Sequence, residues 1–159
     1  MPYSTRLRII GETMTQTRYD QDIVAWAHEQ ALLLRTGQLS AIDTEHLAEE
    51  IEAVSASERR ELRNRLKVLL QHLLKWQYQP ECRTRSWLAT MLEQRDSIED
   101  VLRTSPSMRT SLANDLESAY SSAVRYAAEE TGKDARAFPR DCPYDLIDVL
   151  TDGWLPENV

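Results

Sequence analysis

Residues 43–80, DTEHLAEEIEAVSASERRELRNRLKVLLQHLLKWQYQP, decide the fold because no glycine or proline interrupts them before Pro80. Asp43 is suited to cap a helix, with Ile42 and Leu47 at the two positions where apolar side chains fix the entry of the chain. Apolar residues then recur at helical spacing, at Leu47, Ile51, Val54, Leu62, Leu66, Leu69, Leu73 and Trp76. The stretch predicts a long core helix, although the pattern leaves open whether residues 43–78 form one helix or two.

The rest of the chain repeats this helical pattern in shorter segments, each ended by glycine or proline. Gly37, Gly132 and Gly153 supply left-handed stops. The segments are residues 20–36, 87–102, 106–131 and 143–152. No run alternates with a period of two, so the sequence predicts an all-α fold, a single antiparallel bundle of five to six helices.

The length and composition of the chain indicate one globular domain. With 159 residues the chain is long enough for one real core. We expect the bundle to occupy residues 19–159 and residues 1–18 to be a poorly ordered N-terminal extension. The N-terminus lacks the apolar run of an export signal, and no stretch approaches the roughly 18 apolar residues of a membrane span. Two cysteines without metal-ligand spacing favour reduced thiols, so we expect a cytoplasmic protein without membrane contact.

Charge is unevenly distributed along the chain. Residues 20–58 contain one basic and nine acidic residues, whereas residues 59–95 contain nine basic and three acidic residues. The simplest interpretation is that the two blocks face each other in one fold. The overall charge of −7 argues against nucleic acid as the main partner.

Several motifs resemble the bacterial family known as domain of unknown function 29. They include YDQDIVAW at residues 19–26, HLLKWQYQP at 72–80, RSW at 85–87 and FPRDCPY at 138–144. The resemblance covers residues 19 to about 156, and it implies an all-helical bundle without an assigned activity, cofactor or partner. Cys82 departs from the family pattern, so the resemblance implies no role for its thiol.

Polar side chains border the predicted core. Glu58 and His72 lie in a row beside the leucines, because a seven-residue step is nearly two helical turns. Buried polar groups must pair, bind a ligand or face a cleft. The candidate polar cluster is Asp22, Glu29, Gln30, Glu50, Glu58, Arg65 and His72.

Two interpretations of this cluster stay open. The first is an internal network, for example Glu58 with Arg65 or a carboxylate of the first helix with His72. The second is a metal or acid–base site built from Glu29, Glu50, Glu58 and His72. No metal motif is present, since the nearest, Asp43-x-x-His46, uses an aspartate better placed as a helix cap.

The basic block suggests two further features. Arg59, Arg63 and Lys67 repel each other at four-residue spacing, so the row needs acidic neighbours or a phosphate group. The end of the long helix combines cations with tryptophans. These residues form either a corner of the core or a candidate partner surface: Lys75, Arg83, Arg85, Trp87 and Arg95.

The sequence contains no nucleophile, phosphate-loop or zinc-protease motif, so it names no catalytic residue, metal or cofactor, and it leaves open whether the protein is an enzyme. The function that it favours is an interaction or adaptor module with a protein partner. One alternative is a metal-dependent phosphoester hydrolase using the Glu/His row. The other is weak nucleic-acid binding through residues 59–95. The sequence does not indicate an oligomeric state.

Overall fold

The computed structural model describes residues 19–157, and the predicted N-terminal extension at residues 1–18 lies outside this range. The described residues are all-α, as predicted, without strands. Their helices are α1 (Ile23–Arg35), α2 (Thr44–Tyr78), α3 (Arg85–Thr104), α4 (Met108–Thr131) and α5 (Leu146–Leu150). Short 3₁₀ turns occupy Leu39–Ala41, Pro80–Cys82 and Ala135–Ala137.

The chain divides between Glu52 and Ala53 into two compact units. We call residues 19–52 unit 1 and residues 53–157 unit 2. The boundary falls inside α2, which is one continuous helix from Thr44 to Tyr78.

Helix α2 begins and ends where local chemistry requires it. The Asp43 carboxylate accepts a hydrogen bond from the backbone N–H of His46 at 3.4 Å, as a helix cap does. Pro80 stops the helix, because a proline restricts the residue before it and lacks an N–H. Burial along α2 is uneven, since every residue from 51 to 61 is exposed whereas the leucines from Leu62 onward are buried. The sequence pattern placed Ile51 and Val54 on the core side, and both are instead 65% exposed.

Unit 2 is a helical bundle in which α2 and α4 run parallel. Their side chains meet in the same order along both helices: Arg59–Asp115, Lys67–Tyr126 and Lys75–Glu130. Helix α3 joins them through short connections and therefore returns in the opposite direction. Ala119, Ala123 and Ala127 are fully buried on α4, and such small residues allow helices to approach closely.

The core of unit 2 combines the leucines of α2 with residues of α3, of α4 and of residues 132–157, which we call the C-terminal segment. Phe138, Tyr144 and Val149 of that segment are buried in it. The Tyr144 hydroxyl donates to Gln77 Oε1 at 2.6 Å, and the Tyr120 hydroxyl donates to the Pro139 carbonyl at 2.9 Å. The C-terminal segment is thus part of the bundle.

Helix α4 begins later than the sequence predicted. Ser105 ends α3 as its C-cap, and the Met108 N–H donates to the Ser105 carbonyl at 3.0 Å in the turn that follows. Residues 106 and 107 belong to this turn, so Pro106 is not the first residue of α4.

Within the described residues, none of the helices has the length and apolar character that a membrane crossing requires.

Candidate functional site

A polar network joins α1 to the start of α2 in unit 1, with Asp43 at its centre. The Asp43 carboxylate accepts from Trp26 Nε1 at 3.1 Å and lies 2.8 Å from His46 Nδ1. The backbone N–H of Asp43 donates to Gln30 Oε1 at 2.8 Å. Trp26 and Gln30 are the two buried residues of α1, so the network includes the whole buried part of that helix.

Tyr19 closes the network from the chain before α1. Its hydroxyl donates to Glu50, and its ring stacks on His46 with 4.3 Å between ring centroids. The Trp26 ring meets the Tyr19 ring edge-on at 5.0 Å. Unit 1 has few buried apolar residues, and contacts among three aromatic rings and two carboxylates stabilise it. The rings are those of Tyr19, Trp26 and His46, and the carboxylates those of Asp43 and Glu50.

The Asp43–His46 contact shifts the pKa of both groups. Partial desolvation would raise the pKa of Asp43, but hydrogen bonds from His46 and Trp26 outweigh it and lower that pKa below its ordinary value. The hydrogen bond to Asp43 raises the pKa of His46. An imidazole oriented in this way could exchange protons, yet its neighbours in the network are Tyr19, Trp26 and Asp43, which pack against it and hold it. The arrangement is that of a structural clamp.

The unit 1 members of the candidate polar cluster make different contacts. Gln30 and Glu50 belong to the network, and Asp22 caps α1 by accepting from the Ala25 N–H at 2.9 Å. Glu29 is half-buried on α1. The Nε2 atom of Gln30 is buried and has no hydrogen-bond partner within residues 19–157.

Four members of the network were not among the candidate residues: Tyr19, Trp26, Asp43 and His46. The Asp43-x-x-His46 spacing was a usable signal, because an N-cap carboxylate and a side chain three residues later share one turn. Tyr19 carried no such signal, since its partner Glu50 is 31 residues away.

Two of the three unit 2 members of the polar cluster, Arg65 and His72, make contacts within α2. Arg65 pairs with Glu61 at 2.7 Å, one turn away on α2, and Glu58 is exposed. His72 Nδ1 lies 2.9 Å from the Val68 carbonyl, and burial lowers the pKa of this imidazole. Side chains bonded to their own helix do not converge on an ion. Among residues 19–157, no group of three or more His, Cys, Asp and Glu side chains could hold a metal.

Lys75, of the candidate partner surface, lies inside the bundle. It is 8% exposed, pairs with Glu130, and places its Nζ 4.4 Å from the centre of the half-buried Trp87 ring. The neighbouring Gln71 amide also donates to Glu130, at 2.7 Å. These contacts join α2, α3 and α4, so Lys75 and Trp87 hold the bundle together.

The three arginines of the candidate surface differ in their surroundings. Arg95 is 7% exposed and donates to the carbonyls of Val149 and Trp154, at 2.9 and 2.8 Å. Arg83 donates to the Trp76 carbonyl at 2.9 Å and lies over the Trp76 ring. Arg85 is exposed at the start of α3.

The basic residues Arg59, Arg63 and Lys67 of α2 lie in two different environments. Arg59 forms a bidentate pair with Asp115 on α4, at 2.9 and 2.8 Å, which supplies the acidic neighbour that the sequence required. Arg63 and Lys67, farther along the row, line a groove beside α4.

An exposed apolar surface follows one side of α1. Val24, Ala27, Ala31 and Leu34 lie within an arc of about 80°, since each helical residue advances by 100°. Ile23 continues this arc toward the buried side, and we call these five residues the α1 stripe. Val24 is 65% exposed, Leu34 48% and Ile23 47%, Ala27 is also exposed, and Ala31 is half-buried. Trp26 and Gln30, on the adjacent side, are buried, so unit 1 covers only part of an unusually wide apolar face.

Comparison with known proteins gives one match. Residues 18–155 match the family model described as domain of unknown function DUF29. No curated protein and no solved structure matches the chain.

Proposed function

The chain belongs to the family described as domain of unknown function DUF29, and from this premise we propose that it is a protein-interaction module whose α1 stripe binds a basic amphipathic helix of its partner. The observation that carries the proposal is the exposure of the α1 stripe. A helix at the surface of a globular protein normally turns its apolar side chains inward, and exposed apolar patches often mark sites of protein association.

The charge of unit 1 supports a partner of opposite sign. Residues 19–52 contain eight carboxylates and a single cation, Arg35. A partner helix with apolar residues on one face and lysines or arginines at its borders would match both the stripe and its acidic surroundings. This complementarity favours a basic partner segment over a second copy of this chain, whose unit 1 would bring the same negative charge.

The test uses synthetic helical peptides and the full chain. A labelled peptide of leucines and lysines in helical register should bind saturably in an anisotropy titration, and more weakly as salt is added. A matched peptide with glutamates in place of the lysines should not bind. The double variant Val24→Ser with Leu34→Ser should weaken binding at least about tenfold, because it removes two apolar contacts without changing the charge.

Ile147→Ser provides the matched control, since Ile147 is an 81% exposed apolar residue on α5 in unit 2. This variant should bind like the wild type. Equal binding of the two peptides, or no effect of the double variant, would refute the proposal. Sedimentation that shows a dimer of the wild type and a monomer of the double variant would replace the partner with a second copy of the chain.

We also propose that the protein acts in a bacterial cytoplasm. The family resemblance supports a bacterial source. Both cysteines are free, and burial raises the pKa of the Cys142 thiol to about 11, which keeps it protonated near neutral pH. Such thiols suit a reducing compartment.

A further inference from the structure

A groove of about 290 Å³ lies between α2 and α4, entirely within unit 2. Arg63 and Lys67 line it from α2, and Arg125 lines it from α4. Ala119 forms part of its base and is 1% exposed, so the small side chain leaves space between the two helices. We call this cleft the basic groove.

Among residues 19–157, the cations of the basic groove form no salt bridge with a carboxylate. Within the part of the chain that the structure describes, no carboxylate lines the groove and none pairs with Arg63, Lys67 or Arg125. The nearby Asp115 forms its bidentate pair with Arg59 and attracts Arg63 only through a weaker electrostatic interaction. Arg63 and Lys67 also repel each other across one helical turn. An anion between the two helices would relieve this repulsion.

Neutral donors complete the surroundings of such an anion. The Asn64 amide and the Ser122 hydroxyl line the same groove. Arginine and lysine with amide and hydroxyl donors are the groups that bind phosphate oxygens in proteins, and arginine can do so with two hydrogen bonds.

An aromatic ring stands beside the cations. Tyr126 lines the groove and is 50% exposed, and Lys67 Nζ lies over one face of its ring, 4.7 Å from the ring centre, so a base would stack on the opposite face. Exposed aromatic rings next to a positive charge serve as platforms on which nucleobases stack. We infer that the basic groove binds a nucleoside monophosphate, with its phosphate between the three cations and its base on Tyr126.

Size and charge favour a single nucleotide over a polymer. The groove is a half-open cleft of about 290 Å³, and it is set in a protein with net charge −7. A long polyanion would be repelled by that field, whereas a mononucleotide would meet mainly the local cations. The inference does not depend on the partner proposed for the α1 stripe.

Calorimetric titration of the full chain tests the inference with AMP, ribose 5-phosphate and adenosine. AMP should bind saturably at low salt, ribose 5-phosphate more weakly, and adenosine hardly at all. Arg63→Gln and Arg125→Gln should each lower AMP affinity by about tenfold or more, as expected when a charged hydrogen bond to phosphate is lost. Tyr126→Leu should lower AMP affinity about fivefold or more and leave ribose 5-phosphate unchanged.

Arg60→Gln is the matched control, because Arg60 is an exposed arginine of α2 that does not line the groove. It should bind AMP like the wild type, and circular dichroism should show the same helical signal for all variants. Absence of AMP binding, or an equal loss in Arg60→Gln, would overturn the site. Equal binding of AMP and ribose 5-phosphate would overturn the role of Tyr126, and tighter, steeply salt-dependent binding of single-stranded DNA would overturn the preference for a single nucleotide.

Discussion

Asp43 shows how much one residue can organise in a small helical unit. Its carboxylate caps α2, accepts from the Trp26 indole and orients the His46 imidazole. Each of these contacts joins a different part of unit 1, and hydrogen bonds to an ionised carboxylate are stronger than neutral ones. Loss of this carboxylate should therefore change the environment of each of these groups separately.

Asp43→Asn should lower the pKa of His46, because the raised pKa of this imidazole depends first on its hydrogen bond to Asp43. NMR titration of the His46 ring protons measures this directly. A His46 pKa that is the same in the variant and the wild type would contradict the orienting role of Asp43.

The sign of the linked stability follows from the two shifts. The raised pKa of His46 means that its contribution is full below its ordinary value of 6.5 and is lost as pH rises through the folded-state pKa. The lowered pKa of Asp43 means that its contribution is present above its ordinary value of 3.8 and is lost on acidification through the folded-state pKa. The pair thus stabilises unit 1 between these limits.

Arg95→Met should destabilise the bundle by about 2–3 kcal/mol, since it removes the donors of two backbone carbonyls near the end of the chain. Urea unfolding measures the loss. Arg103→Met is the control, because Arg103 forms only an exposed pair with Asp100 and should cost less than about 0.5 kcal/mol. Equal losses in the two variants would show that the Arg95 bonds add nothing to the fold.

At the scale of the helices, the spacing of apolar residues and the positions of glycine and proline predicted most of the helices that form. Gly37, Gly132 and Gly153 all adopt the left-handed conformation expected at stops, with φ between 67° and 72°. The same periodicity did not predict which apolar residues are covered. Ile51 and Val54 continue the stripe of the buried leucines but remain exposed, because spacing along one helix carries no information about where a neighbouring helix ends.

The uneven burial of α2 gives a prediction for two of its apolar residues. Leu69→Ala should cost about 2–5 kcal/mol in the free energy of unfolding, because Leu69 is fully buried and its loss leaves a cavity. Val54→Ala should change stability by less than about 0.5 kcal/mol, since Val54 already contacts water. Chemical denaturation of both variants checks this, and a comparable loss in Val54→Ala would mean that this side chain is covered in solution.

For the whole molecule, the fold class could be predicted but the polar contacts could not. Tyr19 meets Glu50 across 31 residues, and Arg59 meets Asp115 across 56. Such pairings depend on how helices are arranged, which a pattern within one helix does not specify.

The charge pattern predicted that the acidic block of residues 20–58 would face the basic block of residues 59–95. The acidic partners of Arg59 and Lys75 are instead Asp115 and Glu130 on α4, outside the acidic block. The pattern also did not predict that Arg63 and Lys67 would line a groove.

Burial of His72 should lower the stability of the molecule on mild acidification, an effect of opposite sign to that of His46. Burial lowers the pKa of this imidazole below its ordinary value of 6.5, so the folded state binds fewer protons than the unfolded chain. Its contribution is present above 6.5 and declines as pH falls below that value toward the folded-state pKa. His72→Gln should lose less stability than the wild type between about pH 7 and pH 5, as measured by urea unfolding. Identical pH profiles would exclude His72 as a source of the effect.

The exposed stretch of α2 has a consequence for amide exchange with solvent. Its backbone hydrogen bonds are intact, but none of residues 51–61 is itself buried, and Arg59 is linked to α4 through its exposed side chain. This part of α2 should therefore open and reclose more often than the leucine-rich end. Deuterium should enter residues 51–61 well before residues 66–75 of the same helix. A trypsin-like protease should accordingly cut first at Arg60, within α2.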